Sequence, residues 1–381
     1  MWSEFLLFQV LWTCLIAFFI GHCLINLWCF MQPKVSQSEN SGQDCPVSVL
    51  VPARNESRNI QACLDSLTSQ KKGIKEIIVL DDGSTDGTGE MVQAMMSQDS
   101  RLRLITGQEL PGGWTGKCWA CHQLAEAATG DYLLFTDADT IHEPDSIFRA
   151  WNTMEEKKMD LLSLWPRQIT ETVAEKLIIP FMEIMLLVFF PHWMPGHTSI
   201  LGAACGQFVM FRKGSYEKLG GHQSVKSHMV EDIALARRAR STAMRVGNHD
   251  GRGHLSCRMY QNYGEIVEGF SKNLRTSCDD QFIVFLGLHG SLHLYFLLPL
   301  FQVPLIPFLP VEFGIIVGLQ VVLIFLMRMV LMIARGHHLI SVILHPVGQL
   351  LWLRIAWNSW LETKRGKLSW KGRHYPPTAD S

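Results

Sequence analysis

The sequence predicts an α/β protein whose mostly parallel, Rossmann-like sheet lies between apolar helices at the two ends of the chain. Three observations predict it. Between residues 46 and about 140, short apolar or β-branched runs alternate with helix-length segments, the pattern of parallel strands joined by right-handed crossovers. Residues 5–30 are almost unbroken apolar sequence, long enough to cross about 30 Å of hydrocarbon. From residue 281 onward long apolar stretches return. At 381 residues, 48% hydrophobic and 18% charged, the chain has material for a core and for membrane segments besides. Its formal net charge of −1 provides no basic excess to meet phosphate backbones, so nucleic acid is not an expected partner.

Each element follows from its residues. No basic residue precedes the first apolar run and Lys34 follows it, whereas a secretory signal has the reverse charge order and a shorter core. Residues 1–31 therefore read as an uncleaved anchor, N-terminus outside, with the bulk of the chain in the cytoplasm. Residues 32–45 are polar and Ser-rich, a linker. Val47 to Val51 is a β-branched strand closed by Pro52, and Ala53-Arg54-Asn55-Glu56-Ser57 leads into a helix over 59–69. A second strand, 74–80, ends in Asp81-Asp82-Gly83-Ser84-Thr85-Asp86-Gly87-Thr88, a turn and N-cap for a helix to about Met96. Residues 101–106 form a third strand. After Gly112-Gly113-Trp114-Thr115-Gly116-Lys117 comes a helix over 118–128. Tyr132 to Phe135 is then a strand buried on both faces, ending in Asp137-Ala138-Asp139.

Polar groups thus stand at the carboxyl ends of three strands: Asn55 and Glu56, Asp81 and Asp82, Asp137 and Asp139. In an open α/β sheet those ends line one ligand crevice. Two carboxylates one residue apart at the end of a buried strand are costly without a partner. A divalent metal holding a diphosphate would neutralise both, although an isolated D-x-D serves as readily to cap a helix. No G-x-G-x-x-G follows the first strand and no P-loop is present. Lys117 is either a point charge for a diphosphate or a solvated helix-start lysine. The single C-x-x-C, Cys118 to Cys121, lacks the second pair a zinc site needs.

P-A-R-N-E, D-D-G-S-T-D-G-T, the G-K helix and G-D-Y-L-L-F-T-D-A-D-T, in that order, resemble glycosyltransferase family 2, from about residue 47 to about 273. The resemblance implies a GT-A fold, a nucleotide-sugar donor and an inverting mechanism. It implies that Pro52, Asn55, Glu56, Asp81, Asp82, Lys117 and Asp137 bind the donor nucleotide, and that Asp137 and Asp139 hold Mg²⁺ or Mn²⁺ on its diphosphate. Leu201 to Phe211 is similar to the segment flooring the acceptor site, which would bring Gly206 and Gln207 to the acceptor or product. Glu231-Asp232 opens a helix that arginines follow. On physics alone these are dipole-complementing first-turn acids. The resemblance makes Asp232 the general base with Glu231 in support, the group an acceptor hydroxyl needs as it attacks the anomeric carbon.

Residues 175–194 are apolar but interrupted by Pro180, Glu183 and Pro191, and read as interfacial or as a buried core helix. His249 and His254 lie in a turn-rich segment and either approach the metal or sit on the surface. Processive synthases of the family that the chain resembles carry Q-x-x-R-W after the E-D; none follows it here, so the resemblance disfavours a polymerising synthase and favours transfer of one sugar. Residues 282–301 and 311–332 are each long enough to span, with Arg328 inside the second, snorkelling or buried. Residues 339–361 form a third apolar stretch weakened by His345, Pro346 and Arg354. The domain boundaries expected are 1–31 anchor, 32–45 linker, 46–278 GT-A domain, 279–362 membrane region and 363–381 basic cytoplasmic tail. The tail resembles the W-K-G-R-x-Y ending of bacterial members that glycosylate carotenoids or related polyisoprenoids, which implies a contact from Trp370 and Arg373 to donor or acceptor. A basic membrane anchor explains the same residues. The expectation is a multi-pass membrane enzyme moving one hexose from a nucleotide-sugar, such as a UDP-sugar, to a membrane lipid. The alternatives are a polyprenyl-phosphate sugar transferase or polysaccharide synthase of the same fold, and a catalytically inactive membrane scaffold.

Overall fold

The computed structural model describes residues 2–30, 46–191, 203–364, 369–370 and 373–374. The expected linker and most of the basic tail lie outside them. In chain order, helix α1 (Trp2–Cys29) precedes β1 (Val47–Ala53), α2 (Ile60–Thr68), β2 (Glu76–Asp81), α3 (Thr88–Met95), β3 (Leu102–Thr106) and α4 (Gly116–Ala127). Then come β4 (Tyr132–Phe135), β5 (Thr140–His142), α5 (Ser146–Glu156), β6 (Leu161–Trp165), β7 (Arg167–Gln168), α6 (Val173–Ile178) and α7 (Pro180–Phe189). They are followed by β8 (Val209–Arg212), α8 (Lys213–Leu219), α9 (Glu231–Ser241), β9 (Val246–Asp250) and β10 (Leu255–Cys257). Helices α10 (Tyr263–Thr276), α11 (Phe282–Phe285), α12 (Ser291–Phe296), α13 (Leu298–Gln302), α14 (Val311–Arg335), α15 (Leu339–Ile343) and α16 (His345–Lys364) lead to a short pair, β11 (Ser369–Trp370) and β12 (Arg373–His374). Two compact units result. The helical unit is drawn from Met1–Cys29, Thr170–Met194 and Tyr260–Ser381, the sheet unit from Phe30–Ile169 and Pro195–Met259.

The sheet unit holds a seven-stranded sheet in the order β3-β2-β1-β4-β8-β6-β9. Strand β1 pairs in parallel with β2 and β4, β2 with β3, and β6 with β9, while β8 runs antiparallel between β4 and β6. The expected strands 47–51, 74–80, 101–106 and 132–135 are β1 to β4. They read as apolar runs because helices cover both faces, so neither face has to be polar. Alternate side chains go to opposite sides: Val49, Val51, Ile77 and Leu134 pack with Leu64 and Leu67 of α2, and Leu50, Ile78, Leu80 and Leu133 pack with Leu124 of α4 and Leu235 of α9. A three-stranded sheet, β5-β10-β7, adjoins the carboxyl end of β4 in sequence.

Among the described residues of the helical unit, two single helices are long and apolar enough to cross a membrane, Ser3–Cys29 and Val311–Arg335. Over the stretch 282–301, expected to be long enough to span, Phe282–Phe296 and Leu298–Phe308 form a pair bent by 41° that together is long and apolar enough for one broken span or a re-entrant loop. Pro299 opens α13 and cannot donate to the preceding turn, and its ring displaces the carbonyl it would face. The stretch 339–361 divides at Leu344 into α15 and α16, and neither is among the described helices that meet the length and hydropathy of a span. Within 175–194 the described part forms α6 and α7, and α7 is buried at Phe181, Glu183, Ile184 and Leu187. Asn26 of α1 ends α7 by donating its amide to the carbonyls of Leu187 (2.7 Å) and Phe190 (2.8 Å). Arg328 is fully buried. Its Nη2 donates to the Ser341 carbonyl (2.9 Å) and hydroxyl (3.0 Å), and its guanidinium lies 5.6 Å from the Phe181 ring centre.

Candidate active site

A cleft opens at the carboxyl edge of the seven-stranded sheet, where Pro52 of β1, Asp137 after β4, Lys117 of α4, Gly206 before β8, and Glu231 and Asp232 of α9 line one space. Local rules put each group there. The Thr115 hydroxyl accepts from the Cys118 amide and starts α4, so Lys117 stands in its first turn. Glu231 and Asp232 open α9 for the dipole reason the sequence suggests. Lys117 Nζ lies 2.7 Å from Asp137 Oδ1 and 2.9 Å from Glu231 Oε1. Burial opposes its charge, but the carboxylates of Asp137 and Glu231 outweigh that and hold the ammonium well above the ordinary lysine value.

Asp232 is fixed by backbone. The Gly206 amide donates to Oδ2 (2.6 Å) and the Ile233 amide to Oδ1 (2.8 Å). Burial, with the charge of Glu231 behind it, pushes the carboxyl up to about 7, while Lys117 and the two amides pull the other way. A side chain at 206 would intrude, because a Cβ there would sit 3.1 Å from both Asp232 Oδ2 and Lys117 Nζ. Gly206, expected on the acceptor side, is therefore also the residue that orients the carboxylate.

The D-x-D turn is held by a network that sequence reading missed. Thr136 Oγ1 lies 2.9 Å from Thr140 Oγ1 and 3.1 Å from His142 Nε2, and donates to the Gln207 carbonyl (2.8 Å). The Thr140 hydroxyl donates to the Asp137 carbonyl (2.7 Å). Burial lowers His142 to about 3, so the ring is neutral. The only signal was the pair of threonines flanking D-A-D, with a histidine two residues beyond. Gln207 lies beneath this turn: its Nε2 approaches Cys257 Sγ (2.8 Å) and its Oε1 accepts from Gln168 (2.9 Å). Cys257 is in turn placed beside Asp139, and burial with that neighbouring carboxylate drives the thiol well above its usual range.

The β1 and β2 loops are stapled together. Asn55 has φ 53°, a left-handed conformation asparagine tolerates. Its amide donates to the Ser84 hydroxyl (2.9 Å), and its side-chain oxygen accepts from the Thr85 amide (2.9 Å). Asp81 Oδ1 accepts from the Ser84 amide (3.0 Å). These two side chains shape the loops, while Asp82 is buried at the end of β2 and the Glu56 carboxylate accepts from Asn59 (3.1 Å).

Other candidates find different places. His249 Nε2 is 3.4 Å from Lys157 Nζ, and the His254 carbonyl accepts from the Glu143 amide (2.8 Å). Among the described residues no three His, Cys, Asp or Glu side chains form a group that could hold a metal, so neither histidine completes such a set. Cys118 and Cys121 are free and buried, and burial pushes Cys118 up to about 12, which leaves it an inert thiol. The backbones of Trp370 and Arg373 pair in the short hairpin.

This sheet, with carboxylates and one lysine at its carboxyl edge, defines a GT-A-type protein. A mannosyltransferase from Pyrobaculum calidifontis, solved with GDP-Man and Mn²⁺, shares the fold at a TM-score of 0.50 and 16% identity, over 93% of this chain and 98% of that one. Residues 48–220 match the model of Glycosyl transferase family 2; the chain carries a domain of that family. Curated relatives include 4,4'-diaponeurosporenoate glycosyltransferases. The Staphylococcus aureus protein is 27% identical over 344 residues, 86% of this chain and 88% of the relative. The Staphylococcus haemolyticus protein is 27% identical over 233 residues, and there the match spans 60% of each chain.

Proposed function

We propose that this chain is a membrane-bound hexosyltransferase that moves one sugar from a nucleotide-sugar, most simply a UDP-sugar, to a polyisoprenoid lipid of the carotenoid type, with inversion at the anomeric carbon. The observation that carries the reading is Asp232. A carboxylate aimed by two backbone amides into the cleft at the sheet's carboxyl edge, with its affinity for a proton raised toward neutrality, is what a general base requires. The relatives named for a carotenoid carboxylic acid supply the acceptor class. Two helices able to cross a membrane suit a lipid acceptor, with the sheet unit on the cytoplasmic side, where nucleotide-sugars are found.

Asp137 and Asp139 fit a hard divalent ion, Mg²⁺ or Mn²⁺. Both offer carboxylate oxygens from one turn, and Asp137 Oδ1 already faces a cation. With no third side-chain ligand among the described residues, diphosphate oxygens and water would complete the shell. When bound, such an ion stabilises the charge that develops on the departing diphosphate. The remaining work falls to the chain. Pro52, Glu56 and Asp82 border the nucleotide, while the Asn55–Ser84–Thr85 staple and Asp81 keep that loop in shape. Lys117 adds a charge to the diphosphate, and Gly206 keeps Asp232 on the acceptor face. Asp232 takes the proton of an acceptor hydroxyl as its oxygen attacks opposite the leaving nucleotide. A carboxylate acceptor is already ionised and needs no base, so the loss on changing Asp232 reports the acceptor atom. Gln207, Trp370 and Arg373 are assigned to the acceptor or product side.

The test is mass spectrometry of total lipids from cells with and without the protein, with Asp139→Asn as control. A lipid gaining one hexose only with the wild type supports the reading. New extracellular polymer would point to a synthase, and no release of nucleoside diphosphate from UDP- or GDP-sugars by purified protein would point to an inactive scaffold.

A further inference from the structure

Lys117 breaks a local rule. A cation in the first turn of α4 faces the positive end of the helix dipole, and departures from local preference that are compensated elsewhere are expected at functional sites. Here the gain lies across the cleft. One ammonium is shared between Asp137 Oδ1 at 2.7 Å and Glu231 Oε1 at 2.9 Å. Asp232 Oδ2 borders the same spot, since a Cβ on Gly206 would meet it and Lys117 Nζ at 3.1 Å each. Three carboxylates from two separate elements thus surround a single positive charge. That charge occupies the oxygen of the D-x-D that an incoming divalent ion would use.

Resting on the glycosyltransferase reading above, we propose that Lys117 is a positioning residue that holds the ion's place, so that divalent cation and nucleotide diphosphate enter together. A dication reaching Asp137 alone meets an ammonium on the same carboxylate, and like charges at contact distance oppose each other strongly in a partly desolvated cleft. Lys117 can leave Asp137 only for another anion. The donor's diphosphate is such an anion: it takes the ammonium, frees Asp137 Oδ1 and brings oxygens of its own to the ion. Linkage is reciprocal, so the ion must strengthen nucleotide binding by the factor by which nucleotide strengthens ion binding. The arrangement keeps a lone metal from settling on the carboxylates without donor.

The experiment titrates Mn²⁺ against the full-length protein in neutral detergent, following free Mn²⁺ by electron paramagnetic resonance, with no nucleotide, with UDP and with GDP. The wild type should bind Mn²⁺ weakly alone and at least about tenfold more tightly with its nucleotide, a coupling of about 1.4 kcal/mol. Lys117→Met should bind Mn²⁺ alone about tenfold more tightly than wild type, and the nucleotide should then add less than about threefold. Lys117→Arg should keep the coupling, and Lys117→Gln should repeat the result of Lys117→Met if that variant folds poorly. Equal Mn²⁺ affinity of wild type and both neutral variants without nucleotide would overturn the proposal while leaving the enzyme reading intact, provided the wild type binds UDP or GDP. A wild type that binds neither nucleotide, with or without Mn²⁺, would overturn the reading and the proposal together.

Discussion

Two clusters built around carboxylates, one in each unit, follow opposite principles. In the sheet unit one ammonium serves Asp137, Glu231 and Asp232, and Lys117 and Asp137 keep 37% and 28% of their side-chain surface exposed. In the helical unit one carboxylate has two partners of its own: Arg335 donates Nε and Nη2 to Glu183 at 3.1 Å each, and His337 Nε2 lies 2.9 Å from Glu183 Oε2. There each of the three side chains is at most 7% exposed. The first cluster is short of positive charge and faces a cleft; the second is saturated and packed shut. A buried carboxylate is therefore no sign of a site by itself. The sign is an unmatched charge beside open space, which only a ligand can complete.

The sharpest way to break this comparison is Asp232→Asn. Loss of a general base costs about 10²- to 10⁴-fold, so transfer to a hydroxyl acceptor should fall in that range while nucleotide binding persists. Wild-type transfer should rise with pH through about 7, where the carboxyl ionises. Stability moves the other way. A carboxyl whose folded pKa is raised contributes stability below the unfolded value near 4 and loses it as pH rises through 7. The Asn variant should thus melt no lower than wild type at pH 8, with its relative advantage vanishing toward pH 4. A variant with full transfer to a hydroxyl lipid would remove Asp232 from the chemistry.

Glu183→Gln tests the saturated cluster. Removing one partner of a buried pair leaves uncompensated charge and costs about 3–5 kcal/mol, read as a lower thermal midpoint in detergent. Replacing Glu183 and Arg335 together by leucine should recover much of that loss, and Mn²⁺ coupling to nucleotide should be unchanged in whatever fraction stays folded. If instead Glu183→Gln leaves stability untouched, the cluster is not a latch and the contrast between the units fails.

Gly206→Ala sharpens the first cluster. The new Cβ would lie 3.1 Å from Asp232 Oδ2 and from Lys117 Nζ, so at least one must shift. Displacement of a reacting group by a fraction of an ångström to one ångström costs up to about 10²-fold in rate. Transfer should fall within that limit, with nucleotide affinity changed far less than kcat.

What the sequence disclosed and what it hid divide along the same physical line. Strands β1, β2 and β4 were legible because a strand covered on both faces must be an apolar run, and α9 because its acids and arginines match its dipole. The D-x-D and E-D pairs were legible as neighbours in sequence. What joins them was not: Gly206 meets Asp232 across 26 positions and Glu183 meets Arg335 across 152. Such contacts depend on packing, which local pattern does not encode. The antiparallel insertion of β8 between β4 and β6 is of the same kind. The bend at Pro299 was written in the sequence, but mean hydropathy over 282–301 masked it.

The smallest effect concerns the frame beneath the open cluster. Thr136→Val keeps the shape of the side chain and removes the hydroxyl that bridges Thr140, His142 and the Gln207 carbonyl. A buried hydrogen bond contributes about 0.5–1.5 kcal/mol net, and an acceptor left unsatisfied costs about 1–3 kcal/mol. The variant should therefore lose about 1–3 kcal/mol in thermal unfolding. Its effect on ligands should be selective: Asp137 and Asp139 hang from this turn, so Mn²⁺ affinity in the presence of nucleotide should fall by a few-fold while nucleotide affinity without metal stays put. If both affinities fall equally, the network supports the sheet edge as a whole. If only stability changes, the turn is held by β4 and β5 alone and the threonine network plays no part in presenting the carboxylates.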